Sequence, residues 1–210
     1  KDGCLPELLK DEVLIRVDAT TISTRDCLER LRRDTNKELK DEVWVPGHEI
    51  VGHVVRAGTN AKFLLDQRIA ALLPYGGGCS QYVCISSKDV IALPEGAGSN
   101  NDVIALLSAY MTAYQCLESA VGIEAVQRHG AGKRSHLYGK NVFIFGAGSP
   151  LGLAFVDLAK NAGATVYTVS HSSNLSAIRA MGAHYWYGFS QKETWEAKWA
   201  GEMDLIVDTI

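Results

Sequence analysis

The stretch "VPGHEIVGHVV", residues 45–55, contains residue types that bind catalytic metals. His48 and Glu49 stand side by side, and imidazole and carboxylate groups are both common zinc ligands. Glycines flank the pair, so a tight turn between two strands explains the same residues without a metal. A catalytic zinc usually takes about three protein ligands, so the choice depends on which other side chains reach His48.

The stretch "FIFGAGSPLG", residues 143–152, has a composition suited to binding a phosphate. Its glycines permit a tight turn and a close approach to a pyrophosphate, which the amides of a following helix attract. The spacing G-x-G-x-x-x-G differs from the usual one, so a glycine-rich turn without a ligand is the alternative. Proline removes one N–H donor, although its fixed φ suits a first helical turn. The candidate residues are Gly146, Gly148, Ser149, Pro150, Leu151 and Gly152.

The N-terminal half predicts short strands that position the histidine. Residues 11–20, "DEVLIRVDAT", alternate as a half-buried strand does, with Val13 and Ile15 on the buried face and Leu14 on the other. Similar short segments separated by turn residues predict a barrel or sandwich: "IVGHVVRAG", "QRIAALL", "CSQYVCIS" and "DVIALPEG". The charged residues 25–42 interrupt them and predict a solvated helix or loop.

The C-terminal half predicts alternating strands and helices around the glycines. A helix is expected from about Asp102 to Ala120. The pattern strand, helix, strand, helix, strand follows, with Gly163 and Gly182 ending the two helices, and indicates the start of a doubly wound α/β domain. We therefore predict domains at residues 1–98 and 99–210.

Composition narrows the class of partner. The net charge of -3 argues against general attraction to nucleic acid or anionic membranes. No apolar run reaches the ~18 residues of a membrane span. Five scattered cysteines fit free thiols in a reducing compartment, cytoplasmic or mitochondrial, better than a disulfide framework.

The order of the segments resembles the medium-chain dehydrogenase/reductase superfamily, in which a GroES-like β-barrel precedes a Rossmann domain. The resemblance is carried by "DEVLIRVDATTIS", "PGHEIVGHVVRAG", "DQRIAAL", "GGCSQYV", "MTAYQCL", "GKNVFIFGAGSPLGLAFVDLAKNAGATV" and "IRAMGAHYWYGF". The chain looks most like the zinc-free quinone oxidoreductases, including their mitochondrial reticulon-interacting relatives. The resemblance implies further strands at both ends, so we expect a fragment of a longer protein.

The resemblance also bears on the metal. Zinc-dependent members add a cysteine and a third ligand to the histidine of this turn, and the matching positions here hold Ser23 and Ser108. A serine hydroxyl is a poor zinc ligand compared with thiolate or imidazole. We therefore expect no metal and interpret His48 as a polar residue in a structured turn.

Without zinc, the resemblance implies hydride transfer from NADPH to a small quinone or activated enone, held in the cleft between the two domains. Ser23, Asp26, Tyr75 and Thr112 match or lie near positions that face the substrate or nicotinamide in these relatives. Each has a plainer alternative: Asp26 could only cap a helix, for example, and Tyr75 could be simply half buried.

The preference for NADPH is predicted from the end of the second Rossmann strand. NAD-specific domains place a carboxylate there, and this chain has Ser170 and His171. Ser170, Ser172 and Ser173 can donate hydrogen bonds to a 2′-phosphate, and Arg179 is a more distant cation. Against this, Asn174 replaces a lysine and Phe189 a tyrosine that NADPH-using relatives often carry.

A second hypothesis is a non-catalytic accessory or scaffold subunit, in a homodimer or a larger assembly. Ser149 and Pro150 replace two glycines of close relatives and could crowd the pyrophosphate. The docking surface would be a basic loop, although a solvated loop explains the same charges. Its residues are Arg128, His129, Lys133, Arg134, His136 and Lys140.

Overall fold

The computed structural model describes residues 7–36, 38–39, 43–63, 65–122 and 135–210. The chain divides into two compact units, Lys1–Ser108 (unit 1) and Ala109–Ile210 (unit 2). The division falls within helix α2 (Asn100–Val121), which begins two residues after the boundary predicted from the sequence. In the part of the chain that is described, no helix is both long and apolar enough to cross a membrane.

Unit 1 is built on a five-stranded antiparallel sheet with the order β4-β1-β2-β3-β5. The predicted short strands are confirmed: β1 (Glu12–Thr20), β2 (Glu49–Ala57), β3 (Arg68–Leu72), β4 (Tyr82–Ser86) and β5 (Val90–Ala92). Val13, Ile15, Ile50 and Ile69 pack together in its core. Leu14 is fully buried as well, against the prediction of one exposed face. β1 is a central strand, and its register shifts after Leu14, which breaks the simple alternation.

Helix α1 (Thr24–Thr35) occupies the charged segment, as predicted. Asp26 is its one buried residue, and the remaining side chains are exposed or half-buried. Glu29 pairs with Arg32 and Arg33, at 2.8 Å in each case. The helix therefore contacts the rest of unit 1 through polar side chains, among them Asp26 and Arg25, and has no buried apolar face.

Unit 2 is a four-stranded parallel sheet with the order β8-β7-β6-β9, flanked by helices. Its elements are β6 (Asn141–Phe145), α3 (Pro150–Asn161), β7 (Thr165–Ser170), α4 (Leu175–Met181), β8 (Tyr185–Gly188), α5 (Lys192–Trp199) and β9 (Leu205–Asp208). The three strands and two helices predicted after α2 are present as β6, α3, β7, α4 and β9, but β8 and α5 were not predicted. β8 has only four residues and no alternating pattern, since three of them are aromatic.

Strand β6 is buried on both faces, as its continuous apolar run predicts. Val142 and Ile144 belong to one apolar cluster with Phe155 of α3. Phe143 belongs to another, where its ring lies 5.9 Å from that of Trp199. This central strand fixes the glycines that follow it at the carboxyl edge of the sheet.

Candidate active site

A buried carboxylate organises the polar residues of unit 1. Asp26 is 3% exposed, and its Oδ1 accepts a hydrogen bond from the Gly47 amide at 2.7 Å. Its Oδ2 accepts from the Ser23 amide at 2.8 Å and from the Ser23 hydroxyl at 3.0 Å. Asp26 is the third residue of α1, so the bond from Ser23 caps that helix. The capping alternative for Asp26 is therefore confirmed, and a direct catalytic role stays a prediction.

These donors fix the charge of Asp26. Burial alone would raise its pKa, but the bonds from the Gly47 and Ser23 amides and the Ser23 hydroxyl outweigh burial. With a further contribution from nearby His48, they hold the pKa of Asp26 below its ordinary value. Asp26 is therefore an ionised hydrogen-bond acceptor at neutral pH.

His48 lies beside this carboxylate. It is 8% exposed, and its Nδ1 lies 2.9 Å from the Leu73 carbonyl oxygen. Its Nε2 lies 3.6 Å from Asp26 Oδ1, beyond hydrogen-bond distance, and has no hydrogen-bond partner among the described protein groups. The sequence-based interpretation of His48 as a structured turn residue missed this atom, since spacing gives no sign of an unpartnered nitrogen.

A cavity of about 520 Å³ in unit 1 has His48 in its wall. Tyr75 lies on the loop after β3 and is 90% exposed, so the alternative of a half-buried side chain is wrong, and its role at the site stays a prediction. The apolar part of the wall consists of Leu28, Trp44, Pro74 and Tyr75. The structure therefore brings His48 and Tyr75 to one cavity, with Asp26 behind the histidine.

The other candidates lie elsewhere. Thr112 is exposed on α2 in unit 2, beside Gln115 and Cys116. The Ser23 hydroxyl is bonded to Asp26, and the Ser108 amide donates to Glu49 at 3.3 Å. No group of three or more His, Cys, Asp or Glu side chains that could hold a metal occurs within the described residues.

The glycine loop of unit 2 joins β6 to α3. Gly146 has φ +81°, and its amide donates to Val169 O of the neighbouring strand at 2.9 Å. Ser149 is the N-cap of α3 and accepts from the Gly152 amide at 3.0 Å, while Pro150 is the first helical residue. A Cβ on Gly152 would lie 2.6 Å from Ala147 Cα, so only glycine allows this approach of helix to loop.

These residues fit a dinucleotide pyrophosphate. The Leu151 amide lies in the first turn of α3, where the helix offers it no acceptor. The N-terminus of a helix with open amides attracts phosphate groups. Two residues reduce the number of backbone N–H groups that are free to bind a phosphate. Pro150 has no N–H, and the Gly152 amide already donates to the Ser149 hydroxyl oxygen. The loop therefore fits a phosphate by its shape but has few free amide donors.

The end of β7 lies against the same loop. Ser170 is 3% exposed, and its hydroxyl accepts from the Gly148 amide at 3.1 Å. His171 and Ser172 are exposed, and His171 Nδ1 lies 2.8 Å from the Ser173 hydroxyl. Asn174 packs on Gly148 so closely that a Cβ there would lie 2.2 Å from Asn174 Nδ2. The contact of Asn174 with the loop was not predicted.

Among the described residues, the other basic side chains named from the sequence contact groups outside the glycine loop. The Arg179 guanidinium lies 5.5 Å from the centroid of Trp186 on β8. Within the basic loop, His136 Nδ1 lies 2.7 Å from Val121 O, and Lys140 pairs with Asp204 at 2.8 Å. Its other four members, Arg128, His129, Lys133 and Arg134, lie outside the described residues.

Comparison with known proteins identifies one domain and several similar oxidoreductases. Residues 9–95 match the alcohol dehydrogenase GroES-like domain. A chloroplast envelope quinone oxidoreductase homolog of Arabidopsis thaliana is 24% identical over 85% of this chain and 53% of its own length. Acryloyl-coenzyme A reductase of Sulfurisphaera tokodaii is 28% identical over 98% of this chain and 64% of its own length. The chain thus spans between about half and two thirds of these relatives.

Solved structures agree with the sequence relatives. The quinone oxidoreductase of Thermus thermophilus, solved also in complex with NADPH, is 27% identical with a TM-score of 0.73. The match covers 98% of this chain and 60% of that protein. Residues 9–95 thus form a GroES-like domain, and the chain as a whole is similar to quinone oxidoreductases of the medium-chain dehydrogenase/reductase superfamily. The predicted fold class, a GroES-like domain followed by a Rossmann-type parallel sheet, is confirmed.

Replacing Asp26 with Asn should lower the free energy of unfolding at pH 7 by about 1.5–3 kcal/mol, the contribution of hydrogen bonds to a charged group. Because the folded-state pKa is depressed, the stabilisation is present above the unfolded pKa of about 3.9 and is lost as pH falls towards the folded value. Denaturant unfolding across that range measures both effects. Asp34→Asn, at an exposed pair with Arg30, is the control and should change little. Equal losses in the two variants would contradict the role of Asp26.

Replacing Gly152 with Leu should abolish dinucleotide binding while unit 1 stays folded, because the new side chain meets the backbone of Gly146 and Ala147. Gly152→Ala should show a smaller loss of the same kind. Ala197→Leu is the matched control, since it adds the same leucine side chain at an exposed position of α5. Titration with NADPH measures binding, and parent-like affinity in Gly152→Leu would show that this loop is not the site.

The purified protein should contain no stoichiometric zinc, because serine stands at both positions where zinc-dependent relatives have further ligands. Elemental analysis after dialysis measures this, and chelators should leave activity intact. One tightly bound zinc per chain would contradict the expectation and the quinone oxidoreductase assignment with it.

Proposed function

We infer that the complete protein is an NADPH-dependent, zinc-independent reductase that transfers hydride to a quinone or an activated enone. The cofactor assignment rests on the residues at the edge of the unit 2 sheet, where the glycine loop contacts the end of β7. Ser170 and His171 stand there in place of a carboxylate. Nothing at that position would repel a 2′-phosphate.

The substrate class follows from the reactions that remain possible without a zinc ion. Alcohol oxidation in this superfamily uses a Lewis acid, and a serine-based donor set cannot supply one. A quinone or an α,β-unsaturated carbonyl is already electrophilic and accepts hydride directly. The quinone oxidoreductase homolog and acryloyl-coenzyme A reductase carry names of this substrate class, which supports the proposal.

The chain's own residues bind and orient the reactants. The bound dinucleotide supplies hydride. The Leu151 amide and the N-terminus of α3 would hold its pyrophosphate, and the side chains of His171, Ser172 and Ser173 would meet the 2′-phosphate. The cavity beside His48 is within the size range of small-molecule sites, roughly 300–1,000 Å³, and its apolar wall suits a conjugated ring.

Titration of the complete protein should give tighter binding of NADPH than of NADH by about tenfold, or 1.4 kcal/mol. The margin is small because Asn174 supplies no cation. His171→Asp should weaken NADPH by about tenfold or more through repulsion of the phosphate and leave NADH nearly unchanged. Ala197→Glu adds the same charge on the exposed face of α5 and should leave both affinities unchanged.

Tighter binding of NADH to the parent would show that the missing carboxylate does not set the preference. An equal loss of NADPH affinity in His171→Asp and Ala197→Glu would show that the end of β7 is not near the phosphate.

A further inference from the structure

Arg25 differs from the other charged side chains of the unit 1 cavity in its partner. It lies in the first turn of α1, next to the buried Asp26, and is exposed. Its Nη2 donates to the Pro74 carbonyl oxygen at 2.8 Å. Among the described residues, no carboxylate forms an ion pair with it. Arg25 is therefore a cation in the cavity wall that is held by a neutral group.

The acids of this part of unit 1 are bound to other donors. Within the described cavity wall, Glu29 is the one acid, and it pairs with Arg32 and Arg33 at 2.8 Å in each case. The hydrogen bond from Arg32, together with that from Arg33, outweighs desolvation and lowers the pKa of Glu29 to about 2. Both oxygens of Asp26 accept from other groups as well. No acid in the described part of unit 1 therefore neutralises Arg25 directly.

The guanidinium of Arg25 has donors left for a ligand. Pro74 O takes an N–H of Nη2, while Nε and Nη1 have no hydrogen-bond partner in the part of the chain that the structure describes. A guanidinium presents its N–H groups in a fixed planar fork, which matches the two oxygens of a carboxylate. The bond to Pro74 also joins α1 to the loop after β3. The group is thus already oriented and loses less freedom when a ligand binds.

The surface next to this cation is apolar. Leu28 lies three residues after Arg25, on the same face of α1, and is 61% exposed. Tyr75 follows the residue that holds the guanidinium and is almost fully exposed. Trp44 belongs to the same cavity wall. A positive group and a large uncovered apolar surface therefore stand side by side, which suits a ligand with a flat apolar part and an anionic end.

We propose that Arg25 makes this cavity a site for conjugated acceptors that carry a carboxylate. The carboxylate binds the guanidinium, and the conjugated part of the molecule lies on Leu28, Trp44 and Tyr75. The proposal rests on the proposed function and deepens it, because it narrows the quinones and enones to anionic ones. A single carboxylate matches the single charge of Arg25. A neutral acceptor meets only the apolar part of the wall and binds less tightly.

Two ketones separate the effect of charge from that of shape. One is para-carboxybenzylacetone, the product expected when hydride adds to para-carboxybenzylideneacetone, and the other is its methyl ester. Both are saturated, so neither alkylates the exposed thiols of Cys27 and Cys79. Their binding to the complete protein is measured by calorimetric titration without any dinucleotide.

Three variants test the role of the guanidinium. Arg25→Gln removes the charge and keeps an N–H donor for Pro74 O. Arg25→Lys keeps the charge and loses the planar fork. Arg30→Gln is the matched control, because it removes the same charge from the same helix at a residue that pairs with Asp34 and does not line this cavity.

The parent should bind the acid about tenfold more tightly than the ester, and added salt should weaken binding of the acid alone. Arg25→Gln should remove this preference, Arg25→Lys should keep part of it, and Arg30→Gln should keep all of it. Turnover with NADPH gives a second readout. In Arg25→Gln, kcat/KM for para-carboxybenzylideneacetone should fall about tenfold, while that for its methyl ester should stay within about twofold.

Equal binding of acid and ester by the parent would overturn the proposal, as would an unchanged preference in Arg25→Gln or an equal loss in Arg30→Gln. The proposed function would still stand if the parent reduces the ester enone with NADPH. If the complete protein reduces no quinone or enone, the proposed function fails. The ketone titration needs no dinucleotide, so it decides the carboxylate site in that case too.

Discussion

The buried carboxylate of Asp26 is the interaction on which the arrangement of unit 1 depends. A solvated helix has little apolar surface with which to hold its place, and α1 buries only this one side chain. By accepting from Ser23 on its own helix and from Gly47 before β2, Asp26 joins two segments that are distant in the sequence. His48 follows Gly47 directly, so the same bonds also fix where its ring lies.

In unit 2, close backbone packing, and not a buried charge, positions the helix next to the candidate site. Helix α3 must start close to the end of β6, and the absence of a side chain at Gly152 permits that approach. Ser149 then caps the helix, and Ser170 holds the Gly148 amide from the neighbouring strand. Each of these groups has a partner within the unit, whereas the Leu151 amide lies in the first helical turn, where the helix offers it no acceptor.

Most of this fold could be predicted from the sequence, because periodicity and glycine placement are local signals. The buried run 141–145 and the ends of α3 and α4 at Gly163 and Gly182 are examples, and both glycines have positive φ. β8 was missed because four residues, three of them aromatic, carry no period. The site was less predictable, since side-chain geometry brings Asp26 next to His48, a residue 22 positions away in the sequence.

The contact between Asn174 and Gly148 has a consequence for how this protein can change over evolution. A Cβ at position 148 would lie 2.2 Å from Asn174 Nδ2 and 2.5 Å from the Ser170 hydroxyl, so positions 148, 170 and 174 share one small volume. A mutation that adds a side chain at position 148 needs a smaller residue at position 174 first. The order of mutations is therefore constrained, and a side chain as large as asparagine at position 174 is accommodated only while position 148 stays glycine.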